Sequence, residues 1–132
     1  MQSLMTFIYF HDFEAGKKYI NDVFELEPAH DYGFAYVWKI GNQGYLSAVR
    51  AGEGYAGVRI PADGEKGVLI SLTVEDAEEW HRKLKAKNVP NMTELEYHED
   101  IELRGFFIEG PEKYNFEIQE FMNPEMRKMF LS

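Results

Sequence analysis

Hydrophobic and polar residues follow the same order twice along this chain. An apolar run of strand length, LMTFIYF at residues 4–10, leads directly into residues 13–24, where apolar positions recur every three or four residues. Asp12 stands at the junction and is a good N-cap for a helix. The order returns at residues 67–90, where a β-rich run, Asp76 and an amphipathic pattern follow one another. The chain therefore predicts a strand and a capped helix at the start of each half.

Three short β-rich runs follow each predicted helix, separated by glycine and proline. They are YGFAYVWKI, GYLSAVR and YAGVRI in the first half, and TELEYHE, RGFFIEG and NFEIQEF in the second. Each half is thus predicted to be a β-α-β-β-β module. Aligning AGEGYAGVRI (51–60) with GPEKYNFEIQ (110–119) places Val58 opposite Glu117. Two similar hairpins can arise by chance, but the recurring order favours an internal repeat.

A chain of 132 residues is long enough for one compact domain but short for two independent ones. We expect a single domain over 1–132, with module one at about 1–62 and module two at about 63–122. The remaining residues, 123–132, form a C-terminal tail. In that tail Asn123 is a suitable cap and Pro124 suits the first helical position, which predicts a short helix.

Composition excludes several classes of function. The formal net charge is -9, which disfavours nucleic acid and anionic membranes as partners. No apolar run approaches the roughly 20 residues needed to span a bilayer, and the start lacks the features of a signal peptide. The absence of cysteine excludes disulfides, thiol catalysis and cysteine-ligated zinc. We expect a cytoplasmic protein.

Two segments carry a resemblance to a known family. LISLTVEDAEEWHRKLKAKNV (69–89) and RGFFIEGPEKYNFEIQEF (104–121) resemble motifs of the vicinal oxygen chelate superfamily. This superfamily includes glyoxalase I, extradiol dioxygenases and the fosfomycin- and bleomycin-resistance proteins. The resemblance implies an α+β fold, in which two tandem β-α-β-β-β modules form a cupped, partly open mixed sheet with helices outside. In metal-dependent members, the first and last strands of each module supply the metal ligands.

The resemblance places three of these ligand positions at Met5, Leu69 and Glu117, and the repeat alignment places the fourth at Val58. Only Glu117 offers an oxygen donor, whereas a catalytic metal site needs about three protein ligands. We therefore expect no metal and no cofactor. The histidines are expected at caps or exposed positions: His30 in a polar turn, and His81 on the outer face of the second helix. His98, together with Glu96, Glu99 or Asp100, is the candidate for adventitious metal binding.

A pocket without metal remains. Alternation in the first strand sends Met5, Phe7 and Tyr9 to the side opposite Ile8 and Phe10. The ligand-binding residues that we predict are Met5, Phe7, Tyr9, Tyr36, Trp38, Val58, Leu69, Ser71, Thr73, Asn115 and Gln119. Tyr45 and either Phe106 or Phe107 are further candidates. Glu117 is either a general base or an anchor for a cation, unless Arg59 or Arg104 neutralises it.

The favoured prediction is a metal-free protein that binds a small organic molecule, sequestering a cationic or aromatic compound in the manner of bleomycin-resistance proteins. As in that group, we expect a homodimer. The second reading is an enzyme, namely a glyoxalase-like lyase, isomerase or dioxygenase that uses Glu117 with or without a divalent metal. The third is a structural or regulatory module whose cavity is filled by side chains.

Overall fold

The chain folds as two tandem α+β modules. The computed structural model describes residues 1–53, 64 and 66–131. It divides into two compact units, Met1–Gly64 and Glu65–Ser132. Within the described residues, each unit holds a strand, a helix and three further strands in the same order. The predicted fold class of two β-α-β-β-β modules is therefore confirmed.

The first unit is a four-stranded mixed sheet with one helix. Its elements are β1 (Leu4–Phe10), α1 (Phe13–Phe24), β2 (Glu27–Asp31), β3 (Ala35–Ile40) and β4 (Gly44–Arg50). The strand order is β1-β4-β3-β2, in which β1 and β4 are parallel and the other pairs antiparallel.

The second unit repeats that arrangement and adds a terminal helix. Its elements are β5 (Leu69–Thr73), α2 (Ala77–Ala86), β6 (Glu96–His98), β7 (Leu103–Glu109), β8 (Asn115–Phe121) and α3 (Pro124–Phe130), with short 3₁₀ turns at Glu99–Ile101 and Pro111–Lys113. The order is β5-β8-β7-β6, again with a parallel first pair. Within the described parts of both units, every helix is too short to cross a membrane.

The three helices of the described residues begin at the predicted caps. The Asp12 carboxylate accepts the backbone N–H of Ala15 at 3.1 Å, and the Asp76 carboxylate accepts that of Glu79 at 3.0 Å. Asn123 caps α3 in the same way, with Pro124 at the first helical position. These side chains satisfy amide groups that the helix itself leaves unpaired.

The core of each unit lies between its helix and its sheet. In the first unit, Gly16 of α1 lies directly on the Phe10 ring: an added Cβ would be 2.5 Å from it. Trp38 is fully buried on the same side and donates its indole N–H to Asn21 of α1 at 2.8 Å. In the second unit, Leu84 of α2 is fully buried, as are the β7 and β8 residues Phe106, Ile108, Phe116 and Ile118.

The predicted strands of the first half need one correction. The second strand is β2, which includes His30, a residue that we expected in a polar turn. It is an edge strand that is exposed along its whole length, so it lacks the alternation of apolar residues by which strands are predicted. YAGVRI, predicted as the last strand of module one, lies outside the described residues, and β4 is the partner of β1.

Candidate functional site

Strands β4 and β8 occupy the same place in their sheets, which identifies equivalent residues. β8 lies beside β5, where Glu117 is opposite Ser71; β4 lies beside β1, where Ser47 is opposite Phe7. Ser71 and Phe7 each stand five residues before the capping aspartate (76 − 71 and 12 − 7). The counterpart of Glu117 is therefore Ser47, which corrects the alignment with Val58; Val58 itself lies outside the described residues.

Glu117 lies at the centre of the second sheet, on the face opposite α2. Its neighbours across the two adjoining strands are Ser71 on β5 and Phe107 on β7. The Ser71 hydroxyl donates to one Glu117 oxygen at 2.6 Å. The carboxylate is half-buried, and no lysine or arginine of the described residues pairs with it. Within the described part of the chain, Glu117 is thus an acid held in place by a neutral donor, the Ser71 hydroxyl.

A second polar pair lies beside it. Gln119 faces Thr73 across the same two strands, and its amide Nε2 donates to the Thr73 hydroxyl at 3.1 Å. Asn115, one step further along β8, is opposite Leu69 and is exposed. The predicted residues of β5 and β8 therefore do lie together, in three adjacent rows.

Apolar and acidic groups surround these pairs. Leu69 is 46% exposed and Phe107 is 41% exposed, which is high for large apolar side chains in a sheet. Of the two candidate phenylalanines, Phe106 is fully buried against His81 of α2, so Phe107 is the one on this face. Strands β5 to β8 place Glu96, Glu109 and Glu117 on it but no lysine or arginine. Such a surface suits a cation or an aromatic body.

The first sheet presents a more apolar face opposite α1. Met5 and Phe7 are 43% and 50% exposed, and the half-buried Tyr45 lies opposite Met5. Tyr9 lies on the same face but is buried with Ala35 and Val49. Ser47, also on this face, is fully buried, and its hydroxyl lacks a hydrogen-bond partner among the described groups. The alternation predicted for β1 is therefore correct.

Tyr36 and Trp38 lie on the other side of the first sheet, which corrects their predicted place beside Met5 and Phe7. Trp38 is bonded to α1 through Asn21, and Lys17 of α1 lies over the Tyr36 ring, 5.6 Å from its centre. Both aromatic side chains lie on the side of β3 that faces α1. Val37, between them, lies opposite Ser47 on the face that we predicted for them.

Arg104 neutralises a different acid from the one predicted. Its Nε donates to Glu120 at 2.8 Å, and that hydrogen bond raises the pKa of Arg104 above its usual value. Glu120 is 5% exposed; it also accepts the Ala77 backbone N–H at 3.0 Å and Arg127 Nη1 at 3.1 Å. Arg59, the other candidate, lies outside the described residues. Sequence reasoning missed Glu120, although its position on the apolar phase of β8, with Phe116 and Ile118, indicates a buried acid.

The histidines do not converge on Glu117. His98 Nε2 is 3.8 Å from a Glu96 oxygen, and both side chains are exposed. His81 is half-buried: its Nε2 bonds the Thr93 carbonyl oxygen at 3.1 Å, which corrects its predicted place on the outer face of the helix. It borders a shallow pocket of about 350 Å³ at the end of α2. No group of three or more histidines and acids in the described parts of the chain is placed to hold a metal.

The fold is shared with several solved structures. No protein-family model matches the chain, and no curated protein matches it. A lactoylglutathione lyase from Agrobacterium tumefaciens is 22% identical, with a TM-score of 0.69, covering 89% of this chain and 91% of that one. A glyoxalase/bleomycin resistance protein/dioxygenase from Nocardioides is 12% identical, with a TM-score of 0.72 and coverages of 94% and 85%.

A fosfomycin resistance protein, FosX, from Listeria monocytogenes is 13% identical, with a TM-score of 0.69 and coverages of 94% and 95%. Each likeness extends over nearly the whole of both chains. The TM-scores show a shared fold, and at 12–22% identity the likeness shows the fold alone. The predicted resemblance to the vicinal oxygen chelate proteins is thus confirmed for the architecture.

Proposed function

We propose that this protein binds a small cationic or aromatic molecule, without a metal, on the face of the second sheet opposite α2. The observation that carries the proposal is the setting of Glu117. Its carboxylate has the Ser71 hydroxyl on one side, the half-exposed Phe107 ring on the other, and no basic partner among the described residues. A carboxylate and an aromatic ring side by side attract an organic cation through charge and through the ring's negative face.

Binding can be tested by calorimetry with a panel of aliphatic and aromatic amines and neutral aromatic compounds. We expect Glu117→Gln to weaken the binding of amines by about tenfold or more, because a charged hydrogen bond is lost. Glu79→Gln, which removes an acid from α2 on the other side of the sheet, is the matched control and should leave affinity unchanged. If no compound binds, the structural or regulatory reading of the fold is favoured instead.

A catalytic role for Glu117 is the second candidate. The Ser71 hydroxyl orients the carboxylate, as a positioned general base requires, and one of the similar structures is a lactoylglutathione lyase. Equilibrium dialysis with Zn²⁺, Ni²⁺, Mn²⁺ and Fe²⁺ separates the two proposals. A tight stoichiometric site that Glu117→Gln abolishes would favour a metal-dependent enzyme over the metal-free binder.

We also propose that the protein is a cytoplasmic homodimer. Helix α3 supports self-association, because Met129 and Phe130 are 61% and 50% exposed on a helix of only seven residues. Light scattering coupled to size-exclusion chromatography should give the mass of two chains, and Met129→Glu should shift it towards one. A single-chain mass for the unmodified protein would contradict the dimer.

A further inference from the structure

Glu117 and Gln119 of β8 each carry one acceptor oxygen without a partner among the described residues. Ser71 occupies one oxygen of Glu117, and the Gln119 amide nitrogen is committed to Thr73. Because that bond uses the nitrogen, the amide oxygen of Gln119 points away from Thr73. Neither this oxygen nor the second Glu117 oxygen has a partner among the described residues. Both are available to donors on a ligand.

The two acceptors are carried by residues at a fixed spacing. Glu117 and Gln119 stand two residues apart on β8 and face the same way, so their side chains start about 7 Å apart. Ligand groups that satisfy both must lie at a similar separation, along the strand.

The neighbours on β7 make the two positions different. Phe107 lies opposite Glu117, so the two side chains leave the sheet side by side on the same face. Gly105 lies opposite Gln119 and leaves bare backbone beside the amide. Beyond Gly105, in the same row, is Glu96 of β6, whose side chain is exposed. An ammonium group at Glu117 thus meets that carboxylate and the Phe107 ring. One at Gln119 meets the amide oxygen, and the Glu96 carboxylate lies on the far side of Gly105.

We propose that this face recognises a short linear diamine, with one ammonium at Glu117 against Phe107 and the other at Gln119, facing Glu96. The proposal rests on the proposed function and narrows its ligand class. Two ammonium groups match the acidic character of the face, and the spacing along β8 favours a chain of about four or five carbons between them.

Calorimetric titration with linear diamines of about three to eight carbons tests this spacing. We expect an affinity maximum at about four or five carbons. Pentane-1,5-diamine should bind about tenfold or more tightly than pentylamine, which offers one ammonium group only.

Variants distinguish the two anchor points. Gln119→Leu should reduce the advantage of pentane-1,5-diamine over pentylamine to about threefold or less while leaving pentylamine binding unchanged. Glu117→Gln should weaken both amines. Gln43→Leu, in an exposed turn of the first unit, is the matched control, and thermal unfolding confirms that each variant is folded.

The outcomes separate this proposal from the one on which it rests. Failure of every amine to bind would overturn both. If amines bind in a way that depends on Glu117, but affinity shows no optimum with chain length, two-point recognition is overturned and the binding function stands. The same conclusion follows if a folded Gln119→Leu variant keeps the full preference for the diamine.

Discussion

Gly105 occupies a position in β7 where a larger residue does not fit. A Cβ there would lie 2.4 Å from the carbonyl oxygen of Ile118 and 3.2 Å from the Cα of Gln119. Both are backbone atoms of β8, so relief requires a shift of the strand that carries Glu117. We expect Gly105→Ala to lower the free energy of unfolding by about 1–3 kcal/mol, measured by urea denaturation.

Gly67 provides the comparison for this substitution. It is exposed, and an added Cβ would meet no atom within 4 Å. Gly67→Ala should therefore leave the urea midpoint nearly unchanged. Equal effects of the two substitutions would show that close approach of β7 and β8 is not what requires glycine.

Tyr19 links the stability of the first unit to alkaline pH. Burial raises its pKa from 10.0 to about 12, because a phenolate loses hydration there. Below pH 10 the group is protonated whether the chain is folded or not. Between pH 10 and about 12 the unfolded chain releases the proton first, so stability falls over this window. Urea midpoints measured across the window should decline less steeply for Tyr19→Phe; Tyr32→Phe, at an exposed position, should follow the unmodified protein.

The chemical character of the site was predictable from sequence, but its partners were not. Glu117 follows from the resemblance of the closing strand, and period-two alternation places Met5, Phe7 and Ser71 on their observed faces. Ser47 was missed because β2 is exposed and has no apolar pattern. Without it, YAGVRI was counted as the last strand of the first half, and Val58 was aligned with Glu117 in place of Ser47. The Glu120 contacts were missed because Arg104, 16 residues earlier, reaches it only through the pairing of β7 with β8.

Among the elements, α3 is tied to the rest of its unit by the side chain of Arg127. Arg127 donates to Glu120 at 3.1 Å, to the Phe121 carbonyl at 3.0 Å and to the Glu75 carbonyl at 3.3 Å. These bonds tie α3 to the end of β8 and to the segment before α2. Phe130 adds a stacked contact with Phe121, with ring centres 4.8 Å apart.

We expect Arg127→Met to loosen α3 while the sheet stays intact. Loss of hydrogen bonds to a buried carboxylate and to carbonyl oxygens should cost about 1–3 kcal/mol. Hydrogen exchange of the α3 amides should accelerate, with little change in β7 and β8. Lys128→Met, its exposed neighbour on the same helix, is the control; similar exchange in both variants would contradict the role of Arg127.

Elements with a buried face were predicted well, and elements without one were not. The predicted runs for β1 and α1 coincide with the observed ones, since one side of each is apolar and Asp12 marks the boundary. The sequence of β2, EPAHD, carries no such signal because neither face is buried. Burial, rather than strand formation itself, is what leaves a pattern in the sequence.

Over the whole molecule, both units use the equivalent position of their last strand to contact the start of their helix. That position is a basic residue in the first unit and an acidic residue in the second. Arg50 and Glu120 are equivalent, each three residues after the equivalent pair Ser47 and Glu117 (47 + 3 and 117 + 3). Arg50 lies over the Phe13 ring of α1 at 5.0 Å, and Glu120 bonds the first amide of α2. The fold thus fixes where the strand meets the helix, but the interaction differs: a cation–π contact in the first unit and a hydrogen bond in the second.

The overall charge should also govern how a cationic ligand reaches the protein. The net charge of -9 attracts cations over distances that salt shortens, since the screening length is about 10 Å at 0.1 M ionic strength and about 3 Å at 1 M. We expect the association rate constant of pentane-1,5-diamine to fall by about tenfold or more between low salt and 1 M, measured by stopped flow. The dissociation rate constant should change much less, because contacts at Glu117 are short-range. A neutral aromatic ligand should show no such salt dependence, and an equal dependence for both would rule out steering by charge.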